Sequence, residues 1–174
     1  MPSRRSLLSY VLGPAALTGG LLAVNQASAK SASPELIGID GWLNTGRPLT
    51  IAGLRGNVVL VEFCTYTCIN WRRTLPYVNR WHSEYGPQGL QIIGVHTPEF
   101  GFERVRPNVE SALRELRVGY PIAQDNEAET WRAWGNWVWP TFYLLDRDGQ
   151  VRLVRQGEGH SQEIEVAIRS LLGL

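Results

Sequence analysis

Residues 58–71 read VVLVEFCTYTCINW and contain both cysteines of the chain, Cys64 and Cys68. The apolar run before Cys64 predicts a strand buried on both faces, as in the centre of a parallel sheet. A helical pattern then begins at Cys68, with Thr67 as its expected N-cap, and continues to Gly86. A helix N-terminus stabilises a thiolate through its dipole and its free N–H groups. We therefore expect the chemistry of this chain at the junction, with Cys68 as the reactive thiol.

A single carboxylate, Glu62, interrupts the buried run. Because burying a charged carboxylate is costly, two placements are open. The side chain either reaches solvent at the end of the strand or stays inside as an acid with a raised pKa. In the second case it would exchange protons with a nearby thiol.

The composition predicts one globular domain. The chain has 174 residues, of which 44% are apolar and 19% charged, and its formal net charge is +1. This balance gives no strong attraction to a polyanion, so we expect no nucleic-acid partner. We also expect a monomer without a cofactor or a metal.

The first 29 residues are expected to be an export signal of the twin-arginine type. Arg4 and Arg5 precede an apolar segment at 7–24, and small residues (ASA) follow at 27–29, as at cleavage sites. An uncleaved membrane anchor is the alternative, because the apolar segment is near the lower length limit for a spanning helix. Both readings predict a periplasmic or other extracytoplasmic location, where disulfides persist. Residues 30–34 would be a linker and residues 35–174 the folded domain.

The rest of the chain predicts alternating strands and helices around a central sheet, which is typical of an α/β fold. The predicted strands cover 35–40, 49–54, 58–63, 90–95, 120–123, 142–145 and 151–155, the last two joined by a turn at 146–149. The predicted helices cover 68–85, 107–116, 127–134 and a final segment capped by Ser161.

His96 and Glu99 follow the second buried strand. If that strand is parallel to the first, its carboxyl end lies at the same sheet edge as Cys68, where open α/β sheets place their sites. His96 and Glu99 are therefore candidate acid–base or gating groups. An ordinary loop role is the alternative for both.

Six blocks of the sequence recur in one known family: the 58–62 run, TYTCIN at 65–70, GVHTPEF at 94–100, YPIA at 120–123, WP at 139–140 and GEG at 157–159. Together these blocks resemble a thioredoxin-fold protein of the redoxin type. Within that group the chain is similar to the extracytoplasmic thioredoxin-like domain of DipZ-type and TlpA/ResA-type thiol–disulfide oxidoreductases. The resemblance covers 33–174 and implies a thioredoxin-like fold, with a central mixed β-sheet flanked by helices and an N-terminal strand extension.

The resemblance also implies roles for individual residues. Cys68 matches the attacking cysteine of the family's Cys-x-x-Cys motif, and Glu62 matches the buried acid that assists proton transfer. Pro140 matches the cis-proline that faces the active cysteine and helps to seat the substrate. The residues expected to line the substrate site are Pro140, Trp139, Trp71, His96 and Glu99.

The chain departs from the family at two positions. Trp71 stands where the family keeps its second, resolving cysteine, and Cys64 stands where the family usually keeps a tryptophan. Without a resolving thiol, a mixed disulfide on Cys68 cannot be released in the usual way. Our main interpretation is a thiol–disulfide oxidoreductase in which Cys64 resolves by forming a disulfide with Cys68. Its partners would be protein or small-molecule thiols and disulfides, with a membrane electron donor as a further candidate.

Two alternatives remain open at the level of the sequence. One is a one-cysteine thiol peroxidase of the peroxiredoxin type, because Thr65-x-x-Cys68 is part of that signature, although Val61 replaces its upstream proline. The other is a non-catalytic module that captures a partner thiol or binds Cu(I) through the two cysteines, since soft thiolates suit Cu(I).

Overall fold

The computed structural model describes residues 32–174. The predicted export signal, or uncleaved anchor, therefore lies outside the described residues, and so do residues 30 and 31 of the predicted linker. Within the described part of the chain, no helix combines the length and the apolar character that crossing a membrane requires.

Residues 32–174 form one six-stranded mixed sheet with four α-helices. The strands are β1 (Gly41–Leu43), β2 (Val58–Cys64), β3 (Leu90–His96), β4 (Ile122–Gln124), β5 (Thr141–Leu145) and β6 (Val151–Gln156). The helices are α1 (Ile69–Tyr85), α2 (Arg106–Glu115), α3 (Glu129–Ala133) and α4 (Ser161–Leu172). The sheet order is β1-β4-β3-β2-β5-β6. Strands β2, β3 and β4 are parallel, while β1, β5 and β6 pair antiparallel with their neighbours. This confirms the predicted mixed sheet with an N-terminal strand extension.

Strand β2 lies at the centre of the sheet because both of its faces are apolar. All seven of its residues are buried. Leu60 and Cys64 point into a core shared with α1, α2 and α4, whereas Val61 and Phe63 point into a second core on the opposite face. Burying each large aliphatic side chain contributes about 1.5–3 kcal/mol. Successive side chains of β2 therefore point to opposite faces of the sheet, and only every second residue shares the face on which α1 packs.

The N-terminal strand lies later than predicted, and residues 35–40 do not form one. The Glu35 carboxylate accepts hydrogen bonds from the backbone N–H groups of Leu36, Ile51 and Ala52. The Thr130 hydroxyl binds both the N–H and the carbonyl of Ile37. Side chains thus take the backbone hydrogen bonds that a strand would need. The predicted return strand at 49–54 is also wrong, because its end forms a 3-10 turn, Ala52–Leu54.

Two predicted helix caps are also corrected. Cys68 itself, rather than Thr67, is the N-cap of α1, and its side chain makes no capping hydrogen bond. The Thr67 hydroxyl donates instead to Glu103. In α4 the N-cap is His160, and Ser161 is the first helical residue.

Candidate functional site

Cys68 lies where β2 passes into α1, facing the segment before β5. Its thiol is partly exposed, and its Sγ lies 3.9 Å from the carbonyl oxygen of Trp139. The Trp139–Pro140 peptide bond is cis. The carbonyl of the buried Pro140 accepts a hydrogen bond of 2.7 Å from the N–H of Gly157, in the loop before α4. The thiol and the cis-proline segment therefore form one surface at the end of the sheet.

Glu62 lies inside the protein, which settles its placement between the two that the sequence allowed. It is fully buried, and its Oε1 accepts a hydrogen bond of 3.2 Å from Trp71 Nε1 and another from the Tyr120 hydroxyl. Burial raises the pKa of Glu62 to about 7, against the opposing effect of the bonds from Tyr120 and Trp71. Its Oε2 has no hydrogen-bond partner among the described residues. Glu62 is thus an acid that changes its charge near neutral pH.

Cys64 ends β2 on the same face as Glu62, two residues further along the strand. The residue is fully buried, and Cys68 packs against the core cluster that contains it. Burial, together with the nearby Glu62 charge, raises the pKa of the Cys64 thiol well above its usual range. Both cysteines are free thiols in the structure. The Cys64–Cys68 disulfide therefore remains a prediction.

Trp71 occupies the first turn of α1 and is fully buried beside Cys64 in the same core cluster. The large side chain thus stands on the helix and the small thiol on the strand, and Trp71 supplies a donor to the buried acid. Gly94, on the neighbouring strand β3, has no side chain, which leaves space for the Cys64 thiol. A Cβ at position 94 would lie 3.5 Å from Cys64 Sγ and would clash with Ile122.

His96 is the register partner of Cys64 on the neighbouring parallel strand. It is fully buried and stacks on Tyr66, with ring centroids 5.6 Å apart. Neither ring nitrogen has a hydrogen-bond partner among the described residues. Burial lowers the pKa of His96 to about 4, so the imidazole is neutral at ordinary pH. The structure places His96 beside Cys64, at the sheet edge that the parallel strands predict, and its acid–base role stays a prediction.

The other two predicted lining residues are placed differently. Trp139 packs on Trp131 with ring centroids 4.5 Å apart, and its backbone carbonyl rather than its indole faces Cys68. The side chain of Glu99 is exposed, and its backbone N–H donates to Glu103. Within residues 32–174 no hydrogen bond joins the Glu99 carboxylate to Cys68, Glu62 or Pro140.

Glu103 was not predicted from the sequence, although it is the most densely bonded acid at the site. Its Oε1 accepts from the Thr65 hydroxyl at 2.5 Å, the Thr67 hydroxyl at 2.6 Å and the Thr67 N–H at 3.3 Å. Its Oε2 accepts from the N–H groups of Glu99 at 2.6 Å and Phe100 at 2.8 Å. The sequence signal is weak: a glutamate three residues after Phe100, as at the N3 position of a capping box.

The geometry gives no support to the two alternative functions. The Thr65 hydroxyl, part of the Thr-x-x-Cys pattern, donates to Glu103. Among the described residues, no three His, Cys, Asp or Glu side chains are arranged to hold a metal ion; the two-cysteine Cu(I) site would have only two ligands and stays a prediction.

The comparisons with known proteins agree with this fold. The chain is 44% identical over 149 residues to the protein DipZ of Mycobacterium tuberculosis, covering 84% of this chain and 21% of DipZ. It thus spans about a fifth of that relative. The thiol-disulfide oxidoreductase ResA of Geobacillus thermodenitrificans is 27% identical, over 72% of this chain and 70% of ResA.

A thioredoxin-like superfamily protein of known crystal structure superposes with a TM-score of 0.75 at 25% identity, covering 82% of this chain and 97% of that one. These similarities confirm the thioredoxin-like fold and support the expected oxidoreductase class. The model of the AhpC/TSA family matches residues 34–154, which is most of the chain. The chain therefore belongs to the AhpC/TSA family.

Proposed function

We propose that this protein is a thiol–disulfide oxidoreductase in which Cys68 attacks and Cys64 resolves. The Cys68 thiolate attacks a substrate disulfide, forms a mixed disulfide with one substrate sulfur and releases the other as a thiolate. The Cys64 thiol then gives its proton to Glu62 and attacks Cys68 Sγ. The Cys64–Cys68 bond forms while the mixed disulfide breaks, so the substrate is reduced and the protein dithiol is oxidised. A dithiol donor then reduces the Cys64–Cys68 disulfide in two successive exchanges and is itself oxidised to a disulfide.

One observation carries this proposal. The partly exposed Cys68 thiol lies at a helix N-cap, 3.9 Å from the carbonyl of a residue joined to a cis-proline. That carbonyl and the adjacent backbone form an edge along which an extended substrate segment can pair. The similarity to known oxidoreductases supports the class of reaction. The contact between Cys68 and the Trp139 carbonyl supports a position at which a substrate sulfur can reach the nucleophile.

The buried cluster beneath Cys68 supports the second step. Cys64 is too buried to meet a bulky substrate directly, but it shares a core cluster with the nucleophile. Glu62 has one unpartnered oxygen and a pKa of about 7, so it can accept a proton and return it near neutral pH. Trp71 and Tyr120 fix its other oxygen.

We also propose that the protein works outside the cytoplasm as a monomer. The paired arginines and the apolar segment before residue 30 support export, and an oxidising compartment would let the Cys64–Cys68 disulfide persist between turnovers. Its substrates are protein or small-molecule disulfides, and a membrane electron donor would re-reduce it.

An insulin-reduction assay with dithiothreitol tests the exchange function. We compare the full chain with Cys68→Ser, Cys64→Ser and the control Glu110→Gln, which changes a partly exposed carboxylate on α2. Cys68→Ser should lose all activity. Cys64→Ser should lose turnover, and when the reduced variant is mixed with insulin without dithiothreitol it should still form a stoichiometric mixed disulfide. Full turnover by Cys64→Ser would contradict the resolving role and favour single-cysteine chemistry.

A further inference from the structure

Glu103 is a buried, charged side chain that the exchange steps above do not use. It is fully buried. Burial opposes its ionisation, but the hydrogen bonds from Thr65, Thr67, Phe100 and Glu99 outweigh that effect and lower its pKa. A carboxylate that accepts several such bonds is strongly held in its charged form. Glu103 is therefore an anion at neutral pH, held by donors from two separate loops.

The donors show what Glu103 joins. Thr65 and Thr67 belong to the turn that leads from β2 into α1, which is closed by the Cys68 N–H donating to the Thr65 carbonyl at 3.1 Å. Both hydroxyls donate to the same oxygen of Glu103, Oε1. The other oxygen holds the backbone of Glu99 and Phe100, in the segment after β3. One carboxylate thus ties the turn that carries the nucleophile to a neighbouring loop.

We propose that Glu103 is a positioning residue, which fixes the turn at 65–67 so that the Cys68 thiol faces the cis-proline segment. This inference rests on the proposed exchange function. Threonine hydroxyls that lose their partner bind nearby backbone instead, and a free Thr67 hydroxyl could cap α1 itself. The turn would then gain alternative conformations. Because attack on a disulfide needs an aligned approach, a shift of about 1 Å costs up to about 100-fold in rate.

The test separates alignment from mere exposure of the thiol. In a Cys64→Ser background, in which Cys68 is the only thiol, we measure second-order rates with glutathione disulfide and with iodoacetamide. Disulfide exchange needs the in-line approach beside Pro140, whereas alkylation by a small reagent tolerates many orientations. The variants are Glu103→Gln, Thr67→Val and Thr65→Val, and Glu110→Gln is the matched control.

Glu103→Gln should slow the disulfide reaction about 10-fold to 100-fold and leave alkylation nearly unchanged. Thr67→Val and Thr65→Val, which each remove one donor, should show the same selective loss to a smaller extent. If Glu103→Gln does not fold, the two threonine variants test the positioning role by themselves. Equal changes in both reactions, or no change in either, would overturn the positioning role. A parent protein that does not react with glutathione disulfide would refute the exchange function itself, so the two failures are distinguishable.

Discussion

The ionisation of Glu62 should make the stability of this protein fall as the pH rises, and Glu62→Gln should remove that fall. The folded-state pKa is about 7, against an ordinary value of 4.5. Between these two pH values the unfolded chain has released the proton while the folded protein keeps it. The free energy of unfolding therefore decreases with rising pH, and above about pH 7 the folded protein contains a buried charge.

The size of the effect follows from the two pKa values. Each pH unit over which only the folded state holds the proton costs about 1.4 kcal/mol. Between pH 5 and pH 8 the expected loss is about 2.5 kcal/mol, an upper figure because relaxation around the carboxylate reduces it. Glutamine keeps the shape of the side chain and can still accept bonds from Trp71 and Tyr120, but it cannot ionise.

Urea unfolding followed by tryptophan fluorescence measures this, since the chain has 7 tryptophans. Unfolding free energies of the reduced protein are compared at pH 5 and pH 8 for the parent, Glu62→Gln and Glu110→Gln. The unfolding free energy of Glu62→Gln minus that of the parent should be about 2.5 kcal/mol larger at pH 8 than at pH 5. The pH dependence of Glu110→Gln should match that of the parent. Parallel pH profiles for the parent and Glu62→Gln would refute the assignment.

Three further outcomes are expected. The pKa of His96 is about 4 in the folded protein and 6.5 in the unfolded chain, so the parent protein loses stability as the pH falls. Between pH 7 and pH 4.5 this loss should be about 2 kcal/mol by urea unfolding, and His96→Phe should remove it. Trp71→Cys should lower the unfolding free energy by about 3–5 kcal/mol because it leaves a cavity, and Cys64→Trp should lower it by about 1–3 kcal/mol because it overpacks the core. The double variant, which restores a Cys-x-x-Cys motif, should lose clearly less than the sum of the two single losses. Additive losses would show that the two side chains do not share space. Arg80→Ala breaks the ion pairs of Arg80 with the exposed Glu84 and the partly buried Glu165. It should change the unfolding free energy by at most about 1 kcal/mol, so a larger loss would contradict the view that surface ion pairs contribute little here.

The sequence was sufficient where one residue pattern has one physical outcome. The run 58–63 is apolar on both faces except at Glu62, and it correctly predicted a central strand. The change of period at Cys68 located the helix start within one residue, and the resemblance located the cis-proline. In each case, the local pattern and the tertiary contacts favour the same structure.

The sequence was insufficient where side chains replace backbone partners across long separations. Residues 35–40 carry a strand-like pattern, but Glu35 and Thr130 take their hydrogen bonds. Glu103 lies 36 residues beyond Thr67, and its five accepted bonds depend on how two loops meet. Neither residue type nor spacing indicates such a contact, so both features became visible only in three dimensions.

The pairing of Cys64 with Cys68 is the central claim, and mass mapping of the oxidised protein tests it most directly. The reduced full chain is treated with glutathione disulfide, remaining thiols are alkylated, and the peptides are analysed without reduction. The proposed mechanism gives an intramolecular Cys64–Cys68 disulfide, with no glutathione retained and no alkylated cysteine. A stable glutathione adduct on Cys68 beside an alkylated Cys64 would contradict it.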